Sequence, residues 1–315
     1  MRGPWRVVGG VAAVAIGALF VWKAIPVLPQ AASTIPDGAG IWLATAAAAA
    51  AYAAIIPITS VAWAGLLEPH AGRFDWRNLA RIMARTQAAK YVPGNVAQHA
   101  LRAALAARAG IPFAAFAGTV TQETILAILA SLVAGMLAAA LSSGLAGVAG
   151  PVDIGTASTA VIACVLLAAA CGYAAQRYGT HVSGWLGHAF GWISQYLHVR
   201  DSRPLILAFA AYCLNFALIG AGLSVISGAL GLSPHIGLAE ATAAFALSWM
   251  LGFLAPGAPA GLGVREGIML ALLSGSAPQE GVVMFVLFSR LATMVGDAAC
   301  FTIGWLSPPT LGPDR

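Results

Sequence analysis

The chain has 315 residues, 60% of them hydrophobic and 9% charged, with a mean hydropathy of +0.84. A soluble domain carries about 25% charged residues, so a chain this long with so few reads as a polytopic membrane protein. That excludes a cytosolic enzyme, a nucleic-acid-binding module and a disordered regulator. The net charge of +5 is then cytoplasmic-loop charge and affinity for anionic lipid.

Residues 7–25 form the first apolar run, preceded by Arg2 and Arg6. A cleaved signal peptide competes with a first span here, but the run is long for a signal sequence. Residues 41–67 are the second span. From Glu68 to Lys90, five positive residues (Arg73, Arg77, Arg81, Arg85, Lys90) face two negative ones (Glu68, Asp75), a net of +3. This segment is expected in the cytoplasm. Residues 79–92 and 96–109 are two short helical stretches around Pro93, Gly94 and Asn95. Each is too short and polar to cross alone, so residues 78–109 read as a re-entrant hairpin, a break tolerated where protein or water covers it.

Residues 113–141 cross outward, 142–155 form a loop without Lys or Arg, and 156–175 return. Residues 180–200 lie in an amphipathic stretch with Trp185 and Trp192, expected as an interfacial helix. Residues 204–230 cross again. Residues 237–275 hold a second interrupted segment, its break running through Pro256, Gly257, Gly261 and Gly263. Residues 282–306 complete the set. The expected fold is a single all-α membrane bundle over residues 1–315. It has about six spans plus two opposed hairpins, and both termini are cytoplasmic.

The two breaks share a pattern: Arg102 follows Pro93 by nine residues, and Arg265 follows Pro256 by nine. Matched Gly/Pro interruptions in two halves point to an inverted-repeat transporter with a central site. Arg102 and Arg265 are therefore expected to meet near the midplane. Each sits by a helix start that offers free N–H groups and a positive dipole end to a phosphate. The competing reading is a structural ion pair, with Glu266 as the neighbour of Arg265.

Gln98 lies one turn before Arg102 and is expected to share its headgroup. Lys90, Asn95 and Arg290 complete the expected substrate-binding set, with Arg81 and Arg85 in a ladder at the cytoplasmic mouth. The plainer reading of that ladder is positive-inside charge. Glu266, Asp297 and Glu123 are either ion-pair partners or proton-coupling groups. Arg290 and Asp297 stand seven residues apart, about 10.5 Å along one helix, so each needs another partner.

The four cysteines (Cys164, Cys171, Cys213, Cys300) fall in apolar segments without metal-ligand spacing, and no phosphate-loop or zinc motif occurs. No cofactor, metal or catalytic residue is expected.

The stretches Lys90-Tyr-Val-Pro-Gly-Asn-Val-Ala-Gln98 and Pro259-Ala-Gly-Leu-Gly-Val-Arg-Glu-Gly267 resemble the two signatures of the lysylphosphatidylglycerol synthase transmembrane-region family. Ala260 stands where that family often has Gly. The resemblance implies a flippase-like membrane domain that moves lipids with polar headgroups. The cargo stays open among phospholipids, aminoacyl-phospholipids, hopanoid-type lipids and polyprenyl-phosphate-linked sugars.

The best-known members carry a following aminoacyl-transfer domain. This chain is expected to be a stand-alone translocator of a bacterial inner membrane. Its expected partners are anionic lipids, with a homo-oligomer and a separate lipid-modifying enzyme also compatible. The alternatives are a membrane-embedded transferase acting on a lipid-linked substrate and a small-solute or ion channel.

Overall fold

A computed structural model describes residues 38–91, 96–142, 202–255 and 258–307. The expected first span, the span at 156–175, the interfacial stretch at 180–200, and Pro93, Gly94, Asn95, Pro256 and Gly257 lie outside the described residues.

Among the described residues the regular elements are all helices: α1 (Gly38–Ala53), α2 (Ile55–Ala71), α3 (Trp76–Thr86), a 3-10 turn (Gln87–Tyr91) and α4 (Val96–Arg108). Then follow α5 (Phe113–Leu141), α6 (Arg203–Ala229), α7 (Leu238–Leu254), a second 3-10 turn (Pro259–Gly261), α8 (Val264–Leu273) and α9 (Gln279–Leu306). Four stretches are long and apolar enough to cross a membrane: Gly38–Ala71, Phe113–Leu141, Arg203–Ala229 and Gln279–Leu306. They coincide with four of the six expected spans.

The first of these is 34 residues long, about 51 Å at helical rise against a hydrocarbon core of about 30 Å. It is broken between α1 and α2. Pro57 has no N–H to give the carbonyl of Ala53 one turn back, and the thiol of Cys300 on α9 reaches that carbonyl at 3.9 Å. A backbone group freed by proline is thus met by a neighbouring helix.

Loop chemistry sets the start of α3: the Asp75 carboxylate accepts from the Arg77 N–H at 3.0 Å, a helix N-cap. Leu79, Ile82 and Met83 are buried against the core around Trp63 and Leu67, while Arg77 and Arg81 stay on the other face.

Helix α6 is central, packing on α1, α2, α5 and α7, while α9 packs on α1 and α3. Small residues let these helices approach, as lipid-embedded packing requires. A Cβ at Gly220 would lie 1.9 Å from the Thr242 hydroxyl, so α6 and α7 touch there only because residue 220 has no side chain. The first 3-10 turn packs against both the second 3-10 turn and α9. The two interrupted segments therefore meet through the turns that flank their breaks.

Candidate anion-binding site

The first break delivers Lys90 and Tyr91. The Lys90 ammonium donates to Asp297 Oδ1 on α9 at 2.5 Å, to the Tyr52 hydroxyl at 3.0 Å and to Gln87 Oε1 at 3.1 Å. The Tyr91 hydroxyl donates to Asp297 Oδ2 at 2.6 Å. Both carboxylate oxygens are thus engaged from the first break. The Asp297 side chain is only 4% exposed, which demands such pairing.

The second break delivers Arg265 and Glu266. Ala260 (φ 49°), Gly261 (φ 69°) and Gly263 (φ 80°) all take positive φ, so the chain turns sharply into α8. At the start of α8 the Glu266 carboxylate accepts the Gly263 N–H at 2.7 Å, satisfying one orphan donor of the helix. The start of α7 repeats this: Glu240 accepts the Gly237 N–H at 3.0 Å.

The Arg265 stem lies in a slot between two glycines. A Cβ at Gly252 would come 2.3 Å from its Cγ, and one at Gly261 2.7 Å from its Cδ. Its guanidinium stands 5.0 Å from the Phe245 ring centroid. Arg265 Nη2 is buried with no hydrogen-bond partner, and none of the ion pairs among the described residues includes Arg265.

Glu266 pairs instead with Arg290 of α9, Oε1 to Nε at 3.0 Å. That contact is one of charge without an aligned hydrogen bond, since neither atom completes one. The Arg290 guanidinium lies 5.9 Å from the Tyr91 ring centroid. Tyr91 therefore stands against both Arg290 and Asp297 of α9. Arg265, Glu266 and Arg290 line one cleft with Phe245. Three cations (Lys90, Arg265, Arg290) converge on two carboxylates (Glu266, Asp297), which leaves one positive charge over. A low-dielectric cleft with surplus cation and free guanidinium N–H groups is chemically an anion receptor.

Arg102 and Arg265 do not form the expected pair. The ionisable groups acting on Arg265 are Arg290, Tyr52, Glu266 and Asp297, and Arg102 is not among them. Arg102 is taken by Glu123 of α5, Nη2 to Oε2 at 2.8 Å, and stacks 3.8 Å from the Trp63 ring centroid. Tyr212 donates to the other oxygen of Glu123 at 3.2 Å, and Trp63 donates to Thr119 at 3.0 Å. The reason is packing: α4 lies on α5, which brings a carboxylate and an indole to Arg102 before any second-break residue. Lys90, just before the first break, instead reaches Asp297, one of the groups that act on Arg265. The neighbour expected for Arg265, Glu266, is likewise claimed by Arg290.

The arginine ladder is dispersed among local partners. Arg73 pairs with Glu68 at 2.6 Å, and Arg81 donates to Asn78 at 2.8 Å. Arg85 donates to the Gly304 and Ser307 carbonyls at 2.6 and 2.9 Å, closing the C-terminal end of α9. Gln98 is half-buried on α4. Sequence reasoning missed Tyr52, Gln87, Tyr91 and Gly252. Tyr91 and Gly252 had a signal, their places in the stretches Lys90–Gly94 and Gly252–Gly257. Among the described residues no group of three or more His, Cys, Asp or Glu side chains converges as a metal site.

A search of curated proteins gives no match. The family model described as the lysylphosphatidylglycerol synthase TM region matches residues 10–299, taking in both breaks and every residue of the cleft. With four apolar membrane-length helices and this near full-length match, the chain belongs to the lysylphosphatidylglycerol synthase transmembrane-region family.

Proposed function

We propose that this protein is a lipid flippase whose cargo presents a phosphate-bearing headgroup to Arg265 and Arg290 while its acyl chains stay in the bilayer. The observation that carries this reading is the buried Arg265, seated between glycines, with Nη2 unpartnered in a cleft that holds one cation more than carboxylates. A charge at mid-membrane costs at least about 2.5–3.5 kcal/mol on insertion scales. A guanidinium kept there without its own carboxylate is best accounted for by an anion that comes and goes.

The two interrupted segments act as opposed re-entrant hairpins, and the membrane is the bacterial inner membrane with the Arg73–Arg85 face in the cytoplasm. Lys90–Asp297 and Arg290–Glu266 hold the breaks closed when the cleft is empty, and the Arg102–Glu123 pair anchors the first hairpin to α5. The protein carries out no covalent chemistry on the lipid.

The test uses purified protein in phosphatidylcholine vesicles with tail-labelled phosphatidylglycerol and a membrane-impermeant quencher. The wild type is expected to bring inner-leaflet probe into reach of the quencher, and Arg265→Ala to abolish this at unchanged helix content. Wild-type rates equal to empty vesicles, or equal rates in Arg265→Ala, overturn the assignment. Recovery of a covalently altered lipid moves it to a transferase.

A further inference from the structure

Asp297, Glu266 and Glu123 each face a buried cation, and they are not held alike. Asp297 takes an aligned hydrogen bond on each oxygen, from Lys90 and Tyr91. Glu266 caps α8 through the Gly263 N–H. Glu123, 5% exposed, is held least. Its aligned hydrogen bond, from Tyr212, is long at 3.2 Å. Its contact with Arg102 is one of charge only: Glu123 Oε2, Arg102 Nη2 and Arg102 Nε each lack a hydrogen-bond partner. Oε2 therefore has a lone pair open to a proton.

The cations differ as well. Neutralising a buried carboxylate strands the charge beside it, which ordinarily forbids the change. Arg102 has a second support. Its guanidinium lies 3.8 Å from the ring centroid of the fully buried Trp63, and Thr119 pins that indole through its N–H. Lys90 and Arg290 stand 5.5 and 5.9 Å from the centroids of Tyr52 and Tyr91. A desolvated indole face attracts a cation whatever the charge of the carboxylate. Glu123 can thus be neutralised without leaving Arg102 unsupported.

The ionisable groups acting on Glu123 are Arg102 of α4 and Tyr212 of α6. Helix α2 presents Trp63 there, its Glu68 and His70 lying in the last turn. The acid of α7, Glu240, sits in that helix's first turn on the Gly237 N–H. His99, half-buried three residues before Arg102, feels the Arg102 charge.

We propose that Glu123 is a proton-binding site whose occupancy releases the first interrupted segment from α5. This rests on the flippase reading and adds a proton to it. A proton from water bonds to Glu123 Oε2 and makes a neutral acid, the pair passes from no net charge to +1, and Arg102 settles on Trp63. Helix α4 is then no longer drawn to α5. Because α4 also packs on the 3-10 turn that carries Lys90 and Tyr91, its release reaches the cleft through that turn. Return of the proton to water restores the pair, and no electron moves.

The test repeats the phosphatidylglycerol vesicle assay with equal pH on both sides. The lipid diester keeps one charge throughout, so a pH dependence belongs to the protein. The wild-type rate is expected to rise at least about tenfold from about pH 8 to about pH 5, since one proton site changes its occupancy by up to about tenfold per unit. Glu123→Gln, fixed in the neutral form, is expected to be fast at both values, and Glu123→Asp to keep the rise with its midpoint displaced. A flat wild-type profile, a Glu123→Gln rate fixed at the slow level, or an unchanged profile in Glu123→Asp overturns the proposal. So does a pH dependence that survives Glu123→Gln and disappears in His99→Gln, which puts the proton on His99.

Infrared difference spectra of the detergent-solubilised protein separate this site from the flippase reading. Acidification is expected to produce a carboxylic-acid C=O band in the wild type that Glu123→Gln lacks. That band without transport at any pH overturns the flippase reading and keeps the proton site, and transport without that band overturns the proton site alone.

Discussion

Asp297 accepts from Lys90 and Tyr91 at once. Its neutralisation should therefore act on the folded state before it acts on any cargo. Asp297→Asn leaves a buried ammonium without its counter-ion, for which a loss of about 3–5 kcal/mol is expected, read as a lower unfolding temperature in detergent. Replacing both partners, as Lys90→Met with Asp297→Leu, should recover most of that loss, since paired apolar side chains replace a buried ion pair at little net cost. Gly252 governs Arg265 in a different manner. An alanine there would place its Cβ 2.3 Å from Arg265 Cγ and force the guanidinium out of its slot. Gly252→Ala is expected to match Arg265→Ala in the vesicle assay, although residue 252 meets no headgroup. Equal transport by Gly252→Ala and the wild type would show that the slot is not needed.

The second 3-10 turn carries an alanine in a left-handed conformation, Ala260 at φ 49° and ψ 24°. That region costs a non-glycine residue about 1–2 kcal/mol. Glycine removes the strain but gives back about 0.4–1 kcal/mol of that gain, because it frees the unfolded chain. Ala260→Gly should thus raise stability by up to about 1 kcal/mol, seen as a higher midpoint in thermal unfolding. The departure from the family's usual glycine is plain in the sequence, but its physical content, one strained turn ahead of Arg265, needed the backbone. At the other end of the bundle, Arg85 ties α3 to the last carbonyls of α9. Arg85→Ala should cost about 1.5–3 kcal/mol and speed hydrogen exchange at 303–307, and lysine should not restore it, having no fork to reach two carbonyls. The helices themselves were legible because lipid rewards unbroken apolar runs. The partners were not. Lys90 and Asp297 are 207 residues apart, and nothing in either neighbourhood names the other. The same holds for Arg102 and Glu123, whose pairing follows from how α4 lies on α5.

Taken whole, the fold draws five charged side chains from the first break, α8 and α9 into one apolar interior and leaves their sum at +1. An anion that binds only this folded arrangement stabilises it by mass action. Millimolar inorganic phosphate is therefore expected to raise the melting temperature of the wild type and not that of Arg265→Ala, and an equal rise in both would place the anion elsewhere. The matched breaks in the sequence pointed toward this interior, where the 3-10 turns beside them touch, but a nine-residue spacing says nothing about which helix lies alongside Arg102, which pairs with Glu123. Tyr91 gives the arrangement a further property. Its hydroxyl holds Asp297 while its ring stands beside Arg290, so one rigid phenol adjoins both the Lys90–Asp297 lock and the arginine to which the proposed function brings an anion. A guest that tugs Arg290 away from Glu266 also shifts the surface on which that ring rests. Under the proposed function, loading and unlatching would then be a single mechanical event, with the phenol as its lever. Tyr91→Phe, which keeps the ring and drops the bond to Asp297, should let the latch slip without a guest and make movement of lipid less dependent on its headgroup.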